Sequence, residues 1–191
     1  MKVIIVLIST LLLAACQPND YSPLKVSLYN QANDPVGTAT FTEEANGVAV
    51  KVSVEGLAPG LHGIHIHEYS KCEAPDFKSA GSHYNPAGNE HGLMYPDGAH
   101  LGDMPNIEAG SDGTAEAEFE LPEATLSEGQ YSLLQDDGTS IIIHEKQDDG
   151  VSQPSGDAGE RVVCGKITLD EAKEDMPPTD PTETDKKKEE E

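Results

Sequence analysis

The stretch Gly47-Val48-Ala49-Val50-Lys51-Val52-Ser53-Val54-Glu55 decides the fold class. Valine returns at every second position and small or charged residues fill the gaps. Side chains in a strand alternate between faces, so this is a strand with one buried and one wet face. The same beat recurs where Ala115, Ala117, Phe119 and Leu121 alternate with Glu116, Glu118 and Glu120. Turn signals separate such runs: Ala45-Asn46-Gly47, Ser111-Asp112-Gly113 and Asp136-Asp137-Gly138. Strands are expected near 24–30, 36–44, 47–55, 61–68, 114–121, 131–135, 139–144 and 161–169. No helical stripe of useful length interrupts them. The expected fold is all-β, an eight-stranded antiparallel sandwich or flattened barrel. Two connections are long, 69–113 and 145–160, and loops of that length in a compact domain are functional or disordered.

The chain of 191 residues suits one domain with appended ends. Val3–Ala15 is an apolar run after Lys2, too short for a membrane-spanning helix and right for the core of a signal peptide over 1–15. It ends Leu13-Ala14-Ala15-Cys16, which resembles a bacterial lipobox; the other reading is an ordinary secretory signal that contains a cysteine. On the lipoprotein reading Cys16 carries a lipid and 16–23 is a tether. The chain is then exported and anchored on the extracytoplasmic side of a bacterial cell membrane. An oxidising compartment permits a disulfide between the two remaining cysteines, Cys72 and Cys164. The domain itself is expected over 24–169. Residues 170–191 hold ten acids, four lysines and three prolines and read as a disordered acidic tail. The formal net charge is −23; the tail contributes −6, leaving −17 elsewhere, which argues against a nucleic-acid partner. An anionic substrate would need a local positive group.

Six of the seven histidines lie between Leu61 and Asp103. His65 and His67 sit two apart in a strand, so both imidazoles reach one face. His144 ends the apolar run Ile141-Ile142-Ile143; it is either a hydrogen-bonded core residue or a third imidazole for that pair. His83, His91, His100 and Asp103 lie in loop sequence rich in Gly, Pro and Asn. Three imidazoles and a carboxylate suit tetrahedral zinc, whereas an all-imidazole set suits copper. The copper set is one ligand short unless an imidazole is shared, and His83 is the natural candidate.

At this point the chain resembles the copper/zinc superoxide dismutase family over most of 24–169. The resemblance rests on His62-Gly63-Ile64-His65-Ile66-His67-Glu68, Gly81-Ser82-His83-Tyr84-Asn85-Pro86, His91-Gly92, His100-Leu101-Gly102-Asp103, Ile142-Ile143-His144-Glu145-Lys146-Gln147-Asp148-Asp149 and Ala158-Gly159-Glu160-Arg161-Val162-Val163-Cys164-Gly165. It implies a Greek-key arrangement and one copper and one zinc per subunit. It implies copper on His65, His67, His83 and His144, and zinc on His83, His91, His100 and Asp103, with His83 bridging. It implies a Cys72–Cys164 disulfide that pins the long loop. Arg161 would draw in superoxide, Asp148 would link a copper histidine to a zinc histidine, and His62 would bond to backbone. The implied activity is conversion of superoxide to oxygen and hydrogen peroxide. A non-catalytic copper and zinc store at the envelope would keep the ligands without needing Arg161. A structural lipoprotein of the same fold would need no metal at all. Monomer and dimer stay open.

Overall fold

The computed structural model describes residues 22–96 and 98–169. The expected signal peptide, Cys16 and the acidic tail lie outside them.

The alternating runs become strands as their pattern dictates. They are β1 (Leu24–Asn30), β2 (Pro35–Glu44), β3 (Gly47–Val54), β4 (Gly60–His62), β5 (Ile64–His67), β6 (Ile107–Ala109), β7 (Ala115–Pro122), β8 (Thr139–His144) and β9 (Arg161–Ile167). Seven form one antiparallel sheet in the order β5-β8-β9-β1-β2-β3-β7, and β4 pairs with β6. The β4 strand runs through Gly63 into β5, while β6 lies against β7, so the sheet curls into a flattened barrel.

Val48, Val50, Val52 and Val54 all point inward, as their spacing requires. They meet Leu24, Val26, Leu28, Ala39, Phe41, Ile64, Ile66, Ile141 and Ile143 in one core. That leaves His65 and His67, two steps apart on β5, on the opposite face. A smaller cluster of Phe77, Ala80, Ile142 and Cys164 closes over that face. A disulfide joins Cys72 to Cys164, with Cα atoms 5.7 Å apart.

Three expectations about strands are corrected. The expected strand 61–68 is two strands, because Gly63 turns the chain between them: its N–H donates to the Lys146 carbonyl and its carbonyl accepts the His144 N–H, both at 2.8 Å. The expected strand at 131–135 is a turn segment. Its backbone makes one bridge only, with Thr125, whose N–H donates to the Tyr131 carbonyl and whose carbonyl accepts the Leu133 N–H; side-chain hydroxyls take the next carbonyls, Tyr84 Oη that of Ser132 and Thr139 Oγ1 that of Leu133. The 69–113 connection contains the short β6, too brief to show a period. The result is nine strands among the described residues rather than eight.

Candidate metal centre

The free edge of β5 gathers the long loop. Tyr84 N–H donates to the Ile66 carbonyl, Ile66 N–H to the Gly102 carbonyl, and Gly102 N–H to the Tyr84 carbonyl. These bonds set His83 opposite His67 and Asp103 opposite His65. Gly102 approaches so closely that a Cβ there would collide with the Ile66 carbonyl. On the other side of β5, β8 pairs His65 with Ile142 and His67 with Ser140. His144 shares the face of Ile142, at a register shift where it lies opposite Arg161.

Two groups of side chains can therefore hold metal ions. In each, one ligand atom per residue lies within 4.8 Å of all the others: His65, His67, His83 and His144 in the first, His83, His91, His100 and Asp103 in the second. All are buried except His100, which is half-buried. His83 belongs to both.

Hydrogen bonds fix which nitrogen of each ring faces inward. His65 Nε2 donates to Asp148 Oδ2 at 2.7 Å, His67 Nδ1 to the Gly81 carbonyl at 3.0 Å and His144 Nδ1 to the Gly159 carbonyl at 3.3 Å. Carbonyls and carboxylates only accept, so each opposite nitrogen carries a bare lone pair. Those nitrogens, His65 Nδ1, His67 Nε2 and His144 Nε2, are buried without a hydrogen-bond partner among the described residues, and His83 Nε2 joins them. Four buried lone pairs turned toward one another are costly unless a cation sits among them. Burial lowers the His67 pKa well below the usual value, that of His83 to about 4 and that of His144 to about 3. Each is thus held in the neutral form that ligates a metal.

The second group converges on Asp103. Its Oδ1 lies 2.8 Å from His83 Nδ1 and 3.3 Å from His100 Nδ1, and its Oδ2 lies 3.0 Å from His91 Nδ1. His83 Nδ1 and His100 Nδ1 are 3.4 Å apart. A tetrahedron with bonds of ~2.0 Å has edges of about 3.3 Å, so these spacings suit zinc. Burial opposes ionisation of Asp103, yet bonds from His100, His83 and His91 hold its carboxyl far below the usual carboxylate range. For His91, burial favours the neutral ring, but Asp103 and Asp148 together raise its pKa to about 9.

Asp148 ties the groups together. Its Oδ2 accepts from His65 and its Oδ1 accepts from His91 Nε2 at 3.1 Å. His62 stays outside both groups; its ring bridges the carbonyls of His144 and Ala58, each 2.7 Å away. Arg161 is half-buried and held by two carbonyls. Its Nη1 donates to Phe77 and its Nη2 to Gly81, both at 2.7 Å. The Gly81 carbonyl also accepts from His67, so one oxygen orients a ligand ring and the guanidinium.

Several positioning residues escaped the sequence reading. Asn106 brackets the Asp148 backbone, donating from Nδ2 to its carbonyl and accepting its N–H, each at 2.8 Å. Gln153 does the same for His91, at 3.0 and 2.9 Å. Nothing local marks them, because their partners are 42 and 62 residues away.

Residues 36–167 match the family model described as copper/zinc superoxide dismutase (SODC). A curated superoxide dismutase [Cu-Zn] of Caulobacter vibrioides is 47% identical over 134 residues, covering 69% of this chain and 77% of its own. Superoxide dismutase [Cu-Zn] 2 of Aquifex aeolicus is 39% identical over 164 residues, covering 85% and 96%. Among solved structures, a SOD-like protein from Bacillus subtilis superposes with a TM-score of 0.72 at 38% identity, covering 75% of this chain and 97% of its own. The Cu/Zn superoxide dismutase from Brucella abortus does so at 0.63 and 29%, covering 76% and 99%. The two groups of side chains able to hold metal thus sit in a chain that belongs to the copper/zinc superoxide dismutase family, a family of oxidoreductases.

Proposed function

We propose that this chain converts two superoxide ions and two protons into dioxygen and hydrogen peroxide. Copper would be held by His65, His67, His83 and His144, and zinc by His83, His91, His100 and Asp103. The observation that carries this reading is the set of four buried, unpartnered imidazole nitrogens sharing His83 with a tetrahedral group. When bound, copper supplies the one-electron oxidation of one superoxide and the one-electron reduction of the next.

The chain's own residues do the rest. Arg161 presents a fixed positive charge to a small anion on an otherwise acidic protein. A single guanidinium in a partly buried setting focuses such an anion locally. His83 turns Nε2 to one group and Nδ1 to the other, so Nε2 is placed to take a proton and pass it to the departing peroxide. Asp148 keeps His65 and His91 in the tautomers that ligate. With all four positions of the zinc group filled by side chains, that group has no open place for hydrolytic chemistry.

The test is a superoxide assay on protein of measured copper and zinc content. His65→Ala and His144→Ala should abolish dismutation; undiminished activity in either overturns the assignment. Arg161→Ala should keep its copper but react more slowly and lose much of the salt dependence. A metal store would be indifferent to that change.

The lipid anchor on Cys16 and an extracytoplasmic address complete the proposal, supported by the apolar run and Leu13-Ala14-Ala15-Cys16. Mass spectrometry of the membrane-extracted protein should find Cys16 N-terminal and acylated, and an unmodified Cys16 would refute the anchor.

A further inference from the structure

The chain enters the barrel at one end, and Arg161 stands toward the other. At the entry, Ser22 Oγ accepts the Glu43 N–H at 2.9 Å, and Leu24 pairs with Phe41. The incoming chain is thus pinned beside the β2–β3 turn at Ala45-Asn46. Six residue steps later β1 finishes at Asn30, which pairs with Val163. The next residue, Gln31, donates from Nε2 to the Arg161 carbonyl at 3.0 Å, and Arg161 lies opposite His144. At ~3.4 Å per step, β1 holds the Arg161 backbone ~20 Å from the point of entry.

We propose that the anchored domain stands on end, with its β2–β3 turn toward the bilayer and the Arg161 and His144 end turned away from it. This inference rests on the proposed lipid on Cys16 and is independent of the proposed reaction. Two effects produce the arrangement. The leash is short: Cys16 lies six residue steps before the pinned Ser22, a span of at most about 20 Å. The body is acidic: the −17 outside the tail is repelled by an anionic leaflet, while only the Ser22 end is held. The rest of the charge therefore swings outward. Lying on its side on β7 would press the exposed Glu116, Glu118 and Glu120 onto the headgroups.

The test uses the full acylated chain in vesicles of equimolar phosphatidylglycerol and phosphatidylcholine that carry an acceptor dye on a headgroup lipid. A donor dye goes on a single free thiol, from Ala45→Cys in the β2–β3 turn or from Ala32→Cys in the β1–β2 turn. Both alanines are exposed. The native cysteines do not compete, because Cys16 carries the lipid and Cys72 and Cys164 form the disulfide. The nine residue steps of β2 set the two sites ~30 Å apart along the barrel, so energy transfer to the lipid should be at least about two-fold stronger from position 45 than from position 32. Equal transfer from both positions, or stronger transfer from position 32, overturns the orientation while leaving the anchor in place. Protein that lacks the acyl chain and does not float with the vesicles rejects the anchor, and the orientation with it.

Discussion

Replacing Asp148 with asparagine changes one atom and forces a conflict that the structure makes explicit. The carboxylate accepts three hydrogen bonds: Oδ2 from His65 Nε2 at 2.7 Å, and Oδ1 from His91 Nε2 at 3.1 Å and from Gly150 N–H at 2.6 Å. Asn106 clamps the Asp148 backbone on both sides, which fixes the point from which the side chain reaches the two rings. If the amide oxygen takes the Oδ1 position, the NH2 group faces the His65 N–H. If it takes the Oδ2 position, the NH2 group faces both the His91 and the Gly150 N–H. Either way one ring must move its proton from Nε2 to Nδ1, the nitrogen turned toward a metal group. Outer partners of ligand histidines are worth 10–100-fold in metal affinity, about 1.4–2.7 kcal/mol. Chelator-competition titration at neutral pH should show a loss of that size in at least one of the two metal groups. Asp149→Asn is the control, because that neighbouring carboxylate is exposed and accepts from Val151 and Ser152. Copper and zinc affinities both unchanged in Asp148→Asn would show that the Asp148 carboxylate does not set the tautomers of His65 and His91.

Other outcomes follow from the same contacts. In the metal-free protein, His83 and His144 have folded pKa values of about 4 and 3, below the unfolded histidine value, so their contribution is present above pH ~6.5 and lost as pH falls toward those values. His91, raised to about 9, has the opposite sign and loses its contribution as pH rises through 9. Thermal unfolding across pH 4–9 should therefore give a maximum near pH ~6.5; a melting temperature still rising at pH 9 would contradict this. Changing both Cys72 and Cys164 to serine opens a link spanning a sequence separation of 92 and should cost roughly 4–5 kcal/mol in denaturant unfolding. Gly81→Ala puts a side chain on a residue with φ 80°, 2.7 Å from Glu68 Oε2 and the Tyr69 ring. Strain of about 1–3 kcal/mol should appear in its unfolding free energy, because the carbonyl that orients His67 and Arg161 cannot stay in place.

The strands that carry the core were legible because a half-buried strand repeats every two residues, and Val48 through Val54 keep that beat without a break. Residues 131–135 differ because Leu133 and Leu134 supply apolar character while the backbone is held by a single bridge to Thr125 and by the Tyr84 and Thr139 hydroxyls, which no period reveals. The β6 strand is three residues long and pairs with a strand of the same length. Of the site, the histidines stood out by clustering and by the segments around them, and the structure brings every one of the expected ligand residues into one of the two groups. What holds them was hidden. The Phe77 and Gly81 carbonyls, Asn106 and Gln153 act through backbone direction or through partners far along the chain. Such contacts exist only once the long loops have closed over β5.

Four bare imidazole nitrogens and a tetrahedral group sharing His83 should together make a dismutase. The most direct measurement is the decay of superoxide, followed optically after rapid mixing, with the full chain carrying one copper and one zinc by metal analysis. Superoxide should decay rapidly and with second-order kinetics in proportion to copper, and His144→Ala should abolish that decay. Decay no faster than in buffer, with both metals shown to be in place, would contradict it.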